Sequence, residues 1–189
     1  MPNRILILAL AAVPLSLAGA VAQVGPPGSP ARPSADLVKR GEYLVTIGLC
    51  HDCHTPLVEG LDGPAPDMKR ALSGHPQDIA VRAPANPSPP WVGAMTGTLT
   101  AWSGAWGVSF SANLTPDPET GVLRDFTEEQ FIQTLRTGRH QGRGRQILPP
   151  MPWPLIGRMT DDDLKAVLAY LRQIPAVRNK VPDPIPPTQ

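Results

Sequence analysis

The stretch Cys50-His51-Asp52-Cys53-His54 constrains this chain more than any other. It holds the only two cysteines, three positions apart, with a histidine directly behind the second. Cys-x-x-Cys-His is the attachment signature of c-type haem. On a turning backbone, two thiols at this spacing can each form a thioether to one vinyl group of the same porphyrin. His54 is then held under the ring with a nitrogen aimed at the iron, the proximal position. Other uses of the same residues fit less well. Exported proteins commonly pair their cysteines, but a disulfide between partners three apart closes a very small, strained loop. A thioredoxin-type dithiol expects a βαβ setting, and nothing downstream alternates strands with helices. A zinc site needs a fourth ligand and usually a second Cys or His pair, whereas His75 and His140 each stand alone in the sequence.

Haem attachment requires export, and the N-terminus reads as an export signal. Residues 1–22 have Arg4 near the start, an apolar run from Ile5 to Leu17, and the small-residue site Ala20-Val21-Ala22. Cleavage there makes Gln23 the mature N-terminus and places the protein in the periplasm. Pro14 and Ser16 break the run, which is short for a membrane span; an uncleaved leader acting as a tether is the alternative. Removing Arg4 with the leader leaves sixteen basic and sixteen acidic residues. A balanced charge excludes the overall basic bias that nucleic-acid binding would require. The expected organisation is a signal peptide at 1–22, a Pro/Gly-rich linker at 23–34, one domain at 35–178 and a Pro-rich tail at 179–189. The tail is expected to be extended or disordered.

Within the domain, a first helix is expected over Ala35–Ile47, capped by Ser34 or Asp36, with Leu37, Gly41, Leu44 and Val45 near one face. Gly41 weakens this helix unless another backbone comes close to it. Residues 56–112 hold prolines at 64, 66, 76, 84, 87, 89 and 90, which rule out a long helix. Trp102, Trp106 and Phe110 are expected to cover haem or core, with a short hairpin in Thr98–Ser109. Asn113 to Gly121 is a turn-rich run without the Asp-x-Asp-x-Asp-Gly spacing of a calcium loop. Thr127 and Gln130 form a capping box and Phe126 with Phe131 a staple, opening a helix that stops at Gly138. Thr160 caps a last helix in which Leu164, Val167, Leu168 and Leu171 recur at i, i+3, i+4, i+7.

Between these two helices lie a basic loop and a stiff one. Arg136, Arg139, Arg143 and Arg145 surround His140. Either they are a solvated loop, or one or two of them, Arg143 and Arg145 in particular, pair with haem propionates or dock an acidic partner. In Ile147 to Pro154 the prolines fix φ and restrict the residues before them, so the segment should enter neither helix nor central strand. It projects Met151 from a preset loop, which suits a second axial ligand because little entropy is lost in forming a weak thioether–iron bond. A core-filling role is the plain alternative for a methionine. Met159 sits at a staple position, and Met68 and Met95 lie in the proline-rich middle. Bis-His ligation through His75 or His140 is the rival arrangement.

Several stretches together resemble the cytochrome c domain family: Gly41-Glu42-Tyr43-Leu44-Val45, Cys50 to His54 with Thr55-Pro56, Asn113 to Asp117, Phe126 to Phe131, Met151-Pro152-Trp153, and Asp162 to Leu171. More narrowly, they are similar to the haem domains in cytochrome subunits of bacterial periplasmic dehydrogenases. The resemblance covers nearly all of 36–178 and is weakest over 57–105. It implies an all-α fold, cytochrome c-like helices around one covalent haem c, interrupted by a long Pro/Gly/Trp-rich insertion. It also implies Cys50 and Cys53 as attachment points, His54 and Met151 as axial ligands of the iron, and a crossing of the first and last helices near Gly41. The implied function is one-electron transfer without substrate chemistry. Redox proteins are the implied partners (a dehydrogenase subunit, a terminal oxidase or another cytochrome), with no nucleic acid and no membrane span once the leader is gone. A haem-based sensor with an open or labile sixth position is the alternative. Dehydrogenase subunits often carry several Cys-x-x-Cys-His motifs, and this chain has one.

Overall fold

A computed structural model describes residues 33–81 and 89–187. The expected leader, the linker up to residue 32, Pro84 and Pro87 lie outside the described residues. Helix α1 spans Ala35–Ile47, and the Ser34 hydroxyl accepts from the Leu37 N–H at 3.2 Å, satisfying an orphan first-turn donor. Its Gly41, Leu44 and Val45 are buried. The chain then passes through Leu49, whose φ of 57° is left-handed, into the single-turn helix α2, Cys50–His54.

The expectation of an all-α fold is overturned in the next stretch, which builds two antiparallel sheets. Strands β1 (Leu57–Gly60) and β2 (Gly63–Pro66) form a ribbon. Strands β3 (Gly93–Met95), β4 (Ala101–Gly104) and β5 (Gly107–Phe110) form a second sheet in that order, with Met95 opposite Trp102 and Ala101 opposite Phe110. The physical reason lies in the prolines and glycines. They deny this stretch a helix, yet its backbone polar groups must still be paired, and short ribbons pair them with few consecutive residues. Pro64 and Pro66 sit in a two-stranded ribbon, where a missing donor can face outward. The β4–β5 hairpin turns on Ala105-Trp106 into Gly107, whose φ is 90°.

Helix α3 runs Glu128–Thr137 with both halves of the Thr127/Gln130 capping box formed and Gly138 at φ 66° ending it. A short helix α4, Trp153–Ile156, follows. This corrects the expectation that the proline-rich stretch up to Pro154 stays out of helix. Pro154 occupies the first turn, where its missing N–H has no partner to lose. Helix α5, Asp161–Leu171, is capped by Thr160, and Leu164, Val167, Leu168 and Leu171 are all buried.

Helices α1 and α5 cross at Gly41. A Cβ added there would lie 2.0 Å from the Ala166 carbonyl oxygen, so only glycine permits this approach. The Arg40 guanidinium donates to Asp163 at 2.9 Å beside the crossing. Phe131, Ile132 and Leu135 of α3 complete the core with Leu72, Leu123 and Phe126. After α5 the tail is extended but pinned. Asn179 is buried, donating to the Ser73 and His75 carbonyls at 2.7 and 2.9 Å and accepting from the Gln77 N–H at 2.9 Å. Farther along, Ile185 exchanges backbone hydrogen bonds of 2.8 and 3.0 Å with Val108 of β5.

Candidate haem site

Four residues singled out in the sequence, Cys50, Cys53, His54 and Met151, line one cleft of about 1130 Å³ including its open mouth. Its walls are mostly apolar. Phe131 and Leu135 of α3, Val167 and Leu171 of α5, Leu114, Leu123 and Phe126 make one part. Trp102, Phe110 and the run from Ile147 to Pro150 make another. Trp106 is not among the lining residues. Its ring covers Gly104 and its indole N–H donates to the Ser109 hydroxyl at 3.3 Å.

The motif is held from both sides by backbone groups. The His54 Nδ1–H donates to the Ala112 carbonyl oxygen at 2.8 Å. A carbonyl can only accept, so the neutral ring carries its proton on Nδ1 and keeps the Nε2 lone pair free. Burial pushes the His54 pKa down, which favours this neutral form. The Ser111 hydroxyl donates to the Cys53 carbonyl, and the Gly74 N–H donates to the His54 carbonyl at 2.8 Å. Gly74 has φ 79°, and a Cβ there would lie 2.4 Å from the Ser111 oxygen. Orienting contacts of this kind fix the tautomer and direction of a ligating imidazole.

Both cysteines are half-buried and unpaired with each other. As a free thiol Cys50 is pushed up to about 11 by burial, and burial raises Cys53 too. Such thiols are poor exchange nucleophiles, which counts against a dithiol oxidoreductase.

Met151 reaches the cleft from a loop anchored at two points. The Ile147 N–H donates to the Gly138 carbonyl at 2.8 Å, and the Ser109 hydroxyl of β5 donates to the Pro149 carbonyl. Trp153 packs over Gly138, where a Cβ would meet its ring at 2.3 Å. Met68 and Met95 are exposed, and Met159 packs against the core. His75 does not line the cleft. Its Nε2–H donates to the Ile79 carbonyl at 2.9 Å, and its Nδ1 accepts from the Thr100 hydroxyl at 2.9 Å. His140 does line the cleft, with its ring edge-on to Phe126 at 5.0 Å between centroids.

The sequence pointed to the motif and Met151 but not to Ser109, Ser111, Ala112 or Gly74. Ala112 acts through its backbone carbonyl and Gly74 through its missing side chain, and no residue-type signal marks such roles. The donor set fits a c-type haem: two thiols at thioether spacing, an imidazole with a free Nε2, a thioether sulfur and an apolar surround.

No family model matches the chain. It is 31% identical over 152 residues to the cytochrome c subunit of a quinone-dependent alcohol dehydrogenase from Gluconobacter oxydans, an alignment covering 78% of this chain and 24% of that protein. It is 31% identical over 145 residues to the fructose dehydrogenase cytochrome subunit of Gluconobacter japonicus, covering 77% of this chain and 22% of that one. The gluconate 2-dehydrogenase cytochrome c subunit of Pantoea cypripedii is 29% identical over 134 residues, covering 71% and 22%. The chain thus spans about a quarter of the length of the curated relatives it matches. With the haem-attachment motif, the oriented histidine and the shared sequence in view, the chain belongs to the cytochrome c domain family.

Proposed function

We propose that this protein is a periplasmic one-electron carrier holding one covalent haem c. In this reading Cys50 and Cys53 supply the thioether sulfurs, and His54 and Met151 supply the axial nitrogen and sulfur. The haem supplies the one-electron iron couple when bound. The chain's residues do the rest. Ala112 and Ser111 hold the motif so that the His54 Nε2 stays unprotonated, and the apolar lining keeps water from the ring faces. A strained or mobile loop would make a weak sulfur ligand labile; the double anchoring of 147–150 supports Met151 as a lasting one. The single observation that carries the reading is the convergence of all four residues on one apolar cleft.

Electrons would pass between a dehydrogenase and a respiratory acceptor, and the names of the relatives support the dehydrogenase side of that reading. The protein would act as an electron-transfer partner and carry out no substrate chemistry itself. Export by the leader at 1–22 would deliver it to the compartment where such haem is attached, with the domain at 35–178. No helix among the described residues is long and apolar enough to cross a membrane.

Protein made in a host competent to mature c-type haem should carry one haem by mass, and its colour should survive acid acetone. The ferric form should show the Met–iron charge-transfer band near the red edge, and Met151→Ala should abolish it. A colourless mature chain overturns the reading. Ready carbon monoxide binding by the untouched ferrous protein would instead favour a sensor with an open sixth position.

A further inference from the structure

A c-type haem brings two propionate carboxylates into a cleft that is otherwise apolar, and buried or half-buried carboxylates require donors or cations. The polar side chains on the cleft wall can be sorted by what they already bind. The Ser109, Ser111 and Thr134 hydroxyls donate to the carbonyls of Pro149, Cys53 and Gln130. His54 is engaged with Ala112. Among the described residues no aspartate or glutamate lines the cleft. Three lining side chains there have no hydrogen-bond partner among the described residues: the Trp102 indole N–H, the His140 ring nitrogens and the Arg145 guanidinium. Of these, only Arg145 is a permanent cation with a planar fork of donors matched to a carboxylate.

Its position is built by the backbone. Arg139 bridges to Gln146, and the His140 N–H donates to the Arg145 carbonyl at 2.9 Å, so the loop returns Arg145 to the cleft. Arg145 is solvent-exposed while lining the cleft, which puts it at the rim. The other loop arginines differ. Arg139 donates to the Gly144 carbonyl at 3.2 Å, and Arg143 is exposed and lines no part of the cleft.

Resting on the proposed haem site, we infer that Arg145 binds a haem propionate at the cleft rim, while Arg143 and Arg139 do not. The test uses haem-loaded protein: wild type, Arg145→Gln, Arg145→Lys and Arg143→Gln. Haem content and the Met–iron band are measured first, so a failure of the haem reading shows in the wild type before any variant is compared. In Arg145→Gln the reduction potential should fall, because a cation beside the ring is lost. A His140→Asn background removes the neighbouring imidazole, whose pKa burial and the Arg145 charge hold down. On that background the potential should also begin to rise as pH is lowered through the weakly acidic range, because the unpaired propionate now takes up a proton on reduction. Arg145→Lys should restore a flatter profile, and Arg143→Gln should leave both potential and profile at wild-type values.

A potential in Arg145→Gln that matches Arg143→Gln overturns the inference. So does a fall without pH dependence, which would mark Arg145 as a nearby charge only. Should Arg145→Gln fail to mature haem, the propionate-bending Raman bands of the wild type decide. Bands unmoved by mild acid support the pairing, and bands that titrate there overturn it.

Discussion

The cleft has two kinds of wall, and they are stabilised differently. The helical wall, from α2, α3 and α5, is built of segments that specify themselves. Helices α3 and α5 each have their own cap, and their apolar residues fall on one face within a few turns. The opposite wall, from β4, β5, the 147–150 loop and Pro184, is held by partners far away in the chain. Ser109 reaches Pro149, Val108 pairs with Ile185, and Asn179 ties residues 73–77 to the tail. One wall is thus encoded largely within its own short segments. The other depends on ties between residues far apart in the chain.

The largest effect should come where the two helical segments of the frame meet. Gly41→Val puts side-chain atoms into the Ala166 carbonyl and should destabilise the fold by about 3 kcal/mol. Thermal melting would show it, and an unchanged midpoint would mean that α1 and α5 do not cross at Gly41. Cutting the tie on the other wall should cost less and act more selectively. Asn179→Ala leaves the Ser73 and His75 carbonyls and the Gln77 N–H without their partner, a loss of about 2 kcal/mol. Hydrogen exchange should then quicken at Val108 and Ile185 while α3 and α5 amides stay protected. Uniform quickening would show that the two walls open as one unit.

The smallest effect is one of pH. The Thr120 hydroxyl and N–H, then the Glu119 N–H, hold the Asp117 carboxyl below its usual range on the turn that follows the sheet. Arg40 does the same for Asp163 in the helical frame. Both folded-state pKa values are depressed, so both groups contribute stability above the unfolded carboxylate range that is lost as pH falls through the folded values. In acid titrations of the melting temperature, Asp117→Asn and Asp163→Asn should each flatten part of the acid slope. Hydrogen exchange would assign each part to its wall, and parallel slopes in both variants and wild type would remove these carboxylates from the account.

The same contrast explains what could be read in advance. Helices α1, α3 and α5 were legible, down to Ser34, the Thr127–Gln130 box and Gly138, because capping and periodicity are short-range chemistry. The glycine at 41 announced a close approach, and the Cys-x-x-Cys-His motif with Met151 marked the residues that gather at the cleft. Of the sheets only a short hairpin in Thr98–Ser109 was legible, and β4 and β5 pair across Ala101–Phe110; β1, β2 and β3 were not. Strands of three or four residues carry too little alternation to stand out, and their pairing depends on where other segments lie.

Residue types and spacing alone pointed to thiols, imidazole and thioether as parts of one chemistry, since each is defined by its own atoms and near neighbours. Folding decided which carbonyl accepts the His54 Nδ1–H, which arginine reaches the cleft rim, and that a proline-rich tail closes against β5. Those outcomes depend on backbone groups meeting across scores of residues, and every residue type but proline carries the same backbone groups.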